Sequence, residues 1–285
     1  MPGIIDADHY DRQKRVSGWN QELVSASKCL VVGAGALGNE VVKNLCQLGV
    51  RQVGVLDYDF IVPANLNRCV FFTREDARQG RLKAEVLAER AEALNPDCSV
   101  TPIVKRVEDV PEKFFSKTGF TAVFSCLDNL GARLHVNAHC YGNVPLVDGG
   151  TSGFSGKVQV VQSPGACLEC SLSKRDYALL WKKYSCTGME LELVDPKMPA
   201  LSTTTSVIAG IQVNEFVKIA HAAAGKAQQV RVNVLTRRVA APVQEKKFAF
   251  PSASLEGKYL FYNGLTASFS VLEARKRPAC PVHPA

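Results

Sequence analysis

The feature that most constrains the fold is an apolar run that enters a glycine-rich turn and continues as a helical pattern, KCLVVGAGALGNEVVKNLCQLG, residues 28–49. The pattern predicts a strand, a tight turn and a helix that ends at Gly49. Gly33, Gly35 and Gly38 form G-x-G-x-x-G in the turn. This spacing permits the turn, brings backbone amides close to a phosphate and lets the helix pack on the strand. The sequence therefore predicts a nucleotide-binding turn.

Strand-like and helical patterns alternate from this turn to residue 150. The short apolar runs are RQVGVLD, SVTPIV, TAVFSCL and VPLVDGG, and the helical patterns are RQGRLKAEVLAERAEALNP, which stops at Pro96, and LGARLHVNAHCYG. Alternation of this kind is typical of βαβ units. Residues 28 to 150 are therefore predicted to form an α/β fold, a doubly wound, mostly parallel Rossmann-like sheet with helices on both faces.

The pattern changes after residue 150 and predicts a β-rich C-terminal half. SGKVQVVQSPG and VRVNVLTRRV are typical of strands, and GKYLFYNGLTASFSVLEA predicts a hairpin that turns at Asn263-Gly264. An apolar helix is predicted to end at Gly225, after a loop with one short helix. We found no repeat or linker, so we expect a single domain over residues 1–285. Its halves are residues 10–150, which bind the nucleotide, and residues 151–285.

Composition excludes several classes of protein. No run approaches the roughly 18 apolar residues of a membrane span, and the N-terminus lacks the pattern of a secretory signal. The net charge is 34 − 27 = +7, but no basic stripe is interleaved with aromatic residues, which disfavours nucleic-acid binding. We expect a cytoplasmic protein whose ten cysteines stay reduced.

Asp57 lies 19 residues after Gly38, the usual separation for a carboxylate that binds ribose hydroxyls. Up to this residue the sequence suits NAD as well as ATP. The residues that follow favour a nucleoside triphosphate, because cations must neutralise the charge that builds on its phosphates. They are Asp59, Asn65, Arg68 and Lys83.

Asp128 follows a predicted strand in FSCLDN, at the edge of the sheet where ligands bind. A carboxylate there could hold Mg²⁺, which prefers oxygen ligands. The structural alternatives are helix N-caps for Asp128 and Asn65 and surface charge for Arg68 and Lys83.

GAGALG, DYDFIVPANLNR, GRLK and CLDN, in this order and spacing, resemble the adenylation domain of ubiquitin-activating enzymes. They equally resemble the bacterial activators of sulfur-carrier proteins for molybdopterin and thiamine synthesis. The resemblance runs from YDRQ near residue 10 to CPVH at residue 280. It implies that ATP adenylates the C-terminal glycine carboxylate of a carrier protein that ends in Gly-Gly, with release of pyrophosphate.

The resemblance also implies roles for the residues of the four motifs. Asp57 would bind ribose, Asn65, Arg68 and Lys83 would contact phosphates, and Asp128 would hold Mg²⁺ with Asp59 as a helper nearby. The family pattern makes Arg12, in YDRQKR, a finger that reaches the ATP of the neighbouring subunit. A chain with one adenylation domain would then act as a homodimer. Cys69 departs from the family, whose members commonly carry glutamine there.

Two pairs of residues with x₂ spacing predict a structural zinc site. They are Cys167 with Cys170, and Cys280 with His283. Cys₃His is an established zinc ligand set, although relatives usually have a cysteine in place of His283. The alternative is that one or both pairs are incidental. His135 and His139 are a further i, i+4 pair on a predicted helix, but without a third ligand we expect a structural role for them.

Cys186, in KKYSCTG, is the candidate nucleophile. Lys182 and Lys183 beside it favour the thiolate. Family members that form thioesters carry their cysteine on this segment, which would also imply a conjugating enzyme as a partner. Three alternatives remain open: a sulfur-carrier activator without its own thioester, an NAD-dependent oxidoreductase and a non-catalytic subunit. Cys29, Cys46, Cys126 and Cys140 are predicted core residues, and Cys98 is unassigned.

Overall fold

The structure is a computed structural model that describes residues 8–111, 113–173, 175–177, 199–222 and 255–283. Three predictions lie outside the described residues: the surroundings of Cys186, the strand over residues 230–239 and the helix end at Gly225.

The described residues form one central sheet of eight strands. The strands are β1 (Lys28–Val32), β2 (Gln52–Leu56), β3 (Ser99–Ile103), β4 (Ala122–Ser125), β5 (Leu146–Ser152), β6 (Ser155–Val161), β7 (Lys258–Asn263) and β8 (Ser268–Glu273). Their order is β3-β2-β1-β4-β5-β6-β7-β8. Strands β1 to β5 pair in parallel and β5 to β8 pair antiparallel. The predicted α/β class with a mostly parallel sheet and a β-rich C-terminal extension is confirmed.

Helices cover both faces of the sheet. They are α1 (Asp11–Lys14), α2 (Gln21–Ala26), α3 (Ala36–Leu48), α4 (Arg74–Gln79), α5 (Lys83–Leu94), α6 (Lys113–Lys117), α7 (Leu130–Cys140) and α8 (Ser202–Ala222). Alternate residues of β1 serve the two faces: Val31 packs in the core with α3, α5 and α8, and Leu30 in the core with α6 and α7. Burial on both faces explains the continuous apolar run of this strand. No helix of the described chain is long and apolar enough to cross a membrane.

Several element boundaries follow from glycines or turns in the sequence. Helix α3 ends at Gly49 as predicted, with φ 85° in the left-handed region that favours glycine. The predicted helix of RQGRLKAEVLAERAEALNP begins only at Lys83, because α4 ends at Gly80 with φ 60°. The predicted hairpin β7–β8 is confirmed, but its loop spans four residues, 264–267.

A buried carboxylate fixes α4 against α5. Asp76 accepts hydrogen bonds from the backbone N–H of Thr73 at 2.7 Å and from Arg90 Nη2 at 2.8 Å. Burial raises the pKa of Asp76, but the hydrogen bonds from Thr73 and Arg90 outweigh burial and lower the pKa to about 2. Asp76 therefore holds the segment between β2 and α5 in place as a charged carboxylate, paired with Thr73 and Arg90.

Candidate functional site

A cavity of about 910 Å³ opens where the parallel strands end. Strands β1, β2, β4 and β5 each contribute residues at or just after their C-terminal ends, as expected for ligand sites in such sheets. The wall of the cavity contains eight residues predicted from sequence: Gly33, Gly35, Asp57, Asp59, Asn65, Arg68, Lys83 and Asp128. Gly38 and Arg12 were also predicted, but they are outside this wall.

The three glycines of the turn have three different tasks. Gly33 has φ 100°, and a Cβ there would lie 2.7 Å from the carbonyl oxygen of Cys126. Gly38 packs so closely under the turn that a Cβ would lie 1.9 Å from the carbonyl oxygen of Gly33. At Gly35, by contrast, a Cβ would meet nothing within 4 Å. Gly35 precedes the first turn of α3 and lines the cavity, so the backbone amides of the helix N-terminus are open to an anion there.

Asp57 is held beside this turn by two backbone hydrogen bonds. The N–H of Ala34 donates to Oδ2 at 2.7 Å, and the N–H of Asp59 donates to Oδ1 at 2.8 Å. Burial raises the pKa of Asp57, and the charge of Lys83 opposes that effect. Each carboxylate oxygen keeps a second lone pair, so the group can still accept hydrogen bonds from a ligand.

Lys83 stands at the first position of α5 and forms an ion pair with Asp59 across the cavity wall. Its Nζ lies 2.7 Å from Oδ2 of Asp59, and the side chains are 11% and 50% exposed. The predicted surface-charge alternative for Lys83 is therefore wrong, because its side chain is mostly buried beside the glycine turn.

Asn65 and Arg68 follow β2 on a short turn. Asn65 is buried, and its Oδ1 accepts from the N–H of Val62 at 3.0 Å, which closes the turn. Arg68 is partly buried and donates to Asn67 Oδ1 at 3.0 Å and to the carbonyl of Ala64. Both residues line the cavity. Asn65 therefore closes the turn and also forms part of the cavity wall.

Asp128 is an exposed cavity-lining residue between β4 and α7. The N-cap of α7 is its neighbour Asn129, whose Oδ1 accepts from the N–H of Ala132 at 2.8 Å. The alternative that Asp128 is the N-cap is therefore wrong. No described residue donates a hydrogen bond to the carboxylate of Asp128, so its oxygens are available to a cation.

Sequence analysis missed the part of the cavity that lies beyond Asp128. Arg133, on α7, donates from Nε to Oδ1 of the fully buried Asp148 at 3.0 Å and from Nη2 to Oδ2. The negative charge of Asp148 raises the pKa of Arg133. Arg133 follows Asp128 by five residues on a predicted helix, and its spacing is that of an ordinary helix residue. Lys157, on β6, also lines this part.

Cys167, Cys170, Cys280 and His283 meet in one cluster, with all four ligand atoms within 4.8 Å of one another. Cys167 Sγ lies 3.5 Å from Cys280 Sγ and 3.8 Å from Cys170 Sγ, and Cys170 Sγ lies 3.1 Å from His283 Nε2. Tetrahedral zinc with bonds of about 2.3 Å places sulfur atoms about 3.8 Å apart. The fold therefore brings the two pairs together, and their donor set and spacing fit a structural metal ion.

His135, His139 and the other cysteines of the described ranges have packing roles. The rings of His135 and His139 contact each other edge to face at 4.4 Å, and His139 stacks on Phe115. Within the described part of the chain, no third ligand joins this pair into a metal cluster. Cys29, Cys46, Cys126 and Cys140 are buried, which agrees with the predicted core, and Cys69 and Cys98 are buried as well.

The family is identified by sequence. The profile of the ThiF family matches residues 10–282. The chain belongs to the ThiF family. Curated relatives include NEDD8-activating enzyme E1 catalytic subunits from Dictyostelium discoideum, 39% identical over 160 residues, and from Drosophila melanogaster, 38% identical over 164 residues. Each match covers 51% of this chain but only 35% of the relative, so the chain matches about a third of their length.

Solved structures show the same fold as this ThiF-family chain. Escherichia coli MccB in a complex with ATP has a TM-score of 0.70 at 17% identity and covers 99% of this chain and 76% of its own. A structure of PaaA has a TM-score of 0.63 at 16% identity over 89% of this chain and 75% of its own. At these identities the likeness is one of fold alone.

Proposed function

We propose that this ThiF-family protein uses ATP to adenylate the C-terminal glycine carboxylate of a ubiquitin-like protein and releases pyrophosphate. The observation that carries the proposal is the cavity at the glycine turn. The cavity gathers two carboxylates and two cations beside the glycine turn: Asp57, Asp128, Arg68 and Lys83. A nucleoside triphosphate needs groups of these kinds for its ribose, its phosphates and its metal ion. The named relatives and the ATP complex of MccB support the same activity.

The residues of the cavity would divide the reaction between them. Asp57 accepts hydrogen bonds from ribose hydroxyls, and the open backbone at Gly35 receives phosphate. A carboxylate oxygen of the acceptor attacks the α-phosphorus, and the bond to the bridging oxygen breaks with its electron pair leaving on pyrophosphate. Lys83 and Arg68 stabilise the charge that builds on the leaving group, and Asn65 contributes a polar contact. Mg²⁺, if held by Asp128 with Asp59 as helper, would supply further charge neutralisation.

The fate of the adenylate distinguishes two versions of this function. In the first, Cys186 attacks the adenylate and forms a thioester, which a conjugating enzyme then receives. In the second, the enzyme adenylates a sulfur-carrier protein and forms no thioester of its own. The relatives named as NEDD8-activating subunits favour the first version. For either version, a cytoplasmic location remains part of the proposal.

The position of Arg12 supports a homodimer. Helix α1 carries Arg12, and the adjacent Tyr10 packs against Gly49 at the C-terminal end of α3. Helix α3 has 13 residues, so this end is about 20 Å from the cavity at its other end. An arginine at this distance would serve the cavity of a second subunit rather than its own.

The cysteine–histidine cluster is proposed to hold one zinc ion with a structural role. Cys167, Cys170, Cys280 and His283 would occupy all four positions, and a site closed in this way leaves none for substrate. The ion would hold the C-terminal end of the chain against the short helix at Leu168–Ser171.

ATP–pyrophosphate exchange with the purified protein tests the proposal, against a panel of ubiquitin-like and sulfur-carrier proteins that end in Gly-Gly. We expect exchange that depends on one carrier and is abolished in Asp128→Ala. Asp97→Ala is the matched control, because Asp97 is an acidic residue outside the cavity wall that accepts from Tyr10. Exchange unaffected by Asp128→Ala, or failure of the protein to bind ATP, would refute the proposal.

A further inference from the structure

Lys157 is a cation of the cavity wall that lacks a carboxylate partner. Its Nζ lies 4.4 Å from the ring centroid of Tyr259, and within the described ranges no carboxylate lies at ion-pair distance. The carboxylate of Asp148 acts on the charge of Lys157, but Asp148 already forms its ion pair with Arg133. The three groups Asp148, Arg133 and Lys157 therefore leave one positive charge uncompensated.

Burial makes this charge costly. It lowers the pKa of Lys157, while the charge of Asp148 acts in the opposite direction. Two residues along β6, on the same face of the sheet, Gln159 is 1% exposed, and neither its amide nitrogen nor its amide oxygen has a partner in the described chain. Buried polar groups normally find partners, but Gln159 is not a residue of the cavity wall, whereas Lys157 is. An anionic ligand in the cavity would therefore meet the uncompensated charge of Lys157.

The order of the strands assigns the two parts of the cavity to different ligands. The glycine turn follows β1 and Asp57 follows β2, so a nucleotide runs from β1 toward β3. Lys157 lies on the other side, in a row with Gly150 on β5 and Phe261 on β7. All three residues line the cavity.

The surface of this row suits an extended peptide chain. Gly150 presents bare backbone, and the guanidinium of Arg133 lies so close that a Cβ on Gly150 would be 3.2 Å from Nη1. Phe261, 41% exposed, supplies apolar surface on the other side of Lys157. Two cations, Arg133 and Lys157, thus lie between the exposed backbone of Gly150 and the apolar ring of Phe261.

We propose that Lys157, with Arg133 beside it, binds the C-terminal carboxylate of the acceptor protein and positions it for attack on the α-phosphate. This inference rests on the proposed function and adds the carboxylate-binding site to it. One carboxylate oxygen faces Lys157, and the other forms the new bond to phosphorus. Once the acyl phosphate bond has formed, the carboxyl group carries no charge of its own, so its ion pair with Lys157 is lost and the acyl group is freed for the next step.

Kinetics of carrier-dependent exchange test the inference with two variants. Lys157→Met removes the charge and keeps the length of the side chain, and Lys258→Met removes a lysine of the neighbouring strand that lies outside the cavity wall. A hydrogen bond to a charged group corresponds to roughly a 10- to 100-fold change in affinity. We therefore expect the KM for the acceptor to rise at least 10-fold in Lys157→Met, with the KM for ATP within twofold and Lys258→Met unchanged.

Binding of the acceptor's C-terminal peptide gives a readout that a merely structural role would not change. The wild-type protein should bind the peptide with a free carboxylate at least 10-fold more tightly than the same peptide with a C-terminal amide, and Lys157→Met should bind both equally. A higher KM for ATP would instead assign Lys157 to the phosphates and overturn the inference. If the wild-type protein catalyses exchange and Lys157→Met has the same kinetics and peptide binding, the inference alone is refuted. If no carrier supports exchange, the proposed function is refuted and the inference with it.

Discussion

The ammonium of Lys83 lies 2.7 Å from a carboxylate oxygen of Asp59, although 24 residues separate them in sequence. The backbone joins the same two residues, since the N–H of Lys83 donates to the carbonyl of Asp59 at 2.9 Å. This double contact fixes the start of α5 against the end of β2. Lys83 is therefore presented to the cavity by a rigid connection. In the proposed function its side chain would lose little freedom on binding a phosphate.

Lys83→Met should lower kcat for exchange about 100-fold or more, because it removes a preorganised cation from the charge that develops on pyrophosphate. The free energy of unfolding should change little, since methionine keeps the buried stem. Lys43→Met is the control, because Lys43 is also ion-paired, with Glu40, but outside the cavity wall. Exchange within threefold of wild type in Lys83→Met would contradict a role at the phosphates.

Gly38→Ala and Gly35→Ala should separate the folding and binding tasks of the turn. The new methyl at position 38 collides with the carbonyl of Gly33, so we expect a loss of about 3 kcal/mol in the free energy of unfolding. The methyl at position 35 enters the open cavity and should raise the KM for ATP while stability changes by less than about 1 kcal/mol. Urea unfolding measures the change in stability, and ATP titration measures the change in binding. Equal destabilisation of the two variants would show that the separate roles given to Gly35 and Gly38 are wrong.

Asp76→Asn should destabilise the fold by about 2 kcal/mol at pH 7, since the pKa of Asp76 is lowered from 3.8 to about 2. A lowered pKa means that the carboxylate stabilises the folded state above pH 3.8 and that this stabilisation disappears as the pH falls through about 2. The difference in free energy of unfolding between wild type and variant should therefore shrink below pH 4. Urea titrations from pH 7 to pH 3 measure it, and a difference that stays constant would exclude this linkage.

Cys170→Ser should abolish bound zinc, which we expect at one ion per chain in the wild-type protein purified without added metal. Cys140→Ala is the matched control, because Cys140 is a buried cysteine outside the cluster. Metal analysis by mass spectrometry gives the stoichiometry, and only Cys170→Ser should lose the metal. Thermal unfolding should show a larger decrease in Tm for Cys170→Ser than for Cys140→Ala, whose core truncation has its own small cost. Retention of zinc in Cys170→Ser would place the ion elsewhere.

Cys186→Ala should leave carrier-dependent exchange intact and eliminate a carrier–enzyme adduct that thiol reductants cleave. The reason is that adenylation precedes attack by the thiolate and does not require it. Non-reducing gels after incubation with ATP and carrier detect the adduct. Cys98→Ala, which removes a buried cysteine of the core, should retain the adduct. Absence of any adduct in the wild-type protein would favour the sulfur-carrier version of the function.

The sequence was sufficient for the part of the site that depends on local patterns. The glycine turn, Asp57 and Asp128 each follow a parallel strand, and the carboxyl ends of such strands meet at one edge of the sheet. The four metal ligands were also recognisable from their paired spacing, although only the fold could bring Cys167 and Cys280 within 3.5 Å.

The sequence did not predict that Lys157 and Arg133 line the cavity, and the reasons are physical. Strand β6 runs antiparallel to β5, so its amino end reaches the cavity and a rule based on carboxyl ends overlooks it. Arg133 has the spacing of an ordinary helix residue, and its importance depends on the ion pair with the buried Asp148. Pairing across strands is a long-range property, and a single sequence without the fold does not specify it.

The cysteine–histidine cluster joins positions that are 113 residues apart in the chain. An ion bound there acts as a cross-link, and closing a loop of this length removes entropy from the unfolded chain equivalent to roughly 4–5 kcal/mol. Helix α8 and the β7–β8 hairpin lie within the loop, whereas the glycine turn and Asp57 lie outside it. Of the residues proposed for the acceptor side, Phe261 also lies within the loop, whereas Lys157 and Arg133 lie outside it. Chelation would therefore relax α8 and the hairpin first and leave the glycine turn, Asp57, Arg133 and Lys157 in place.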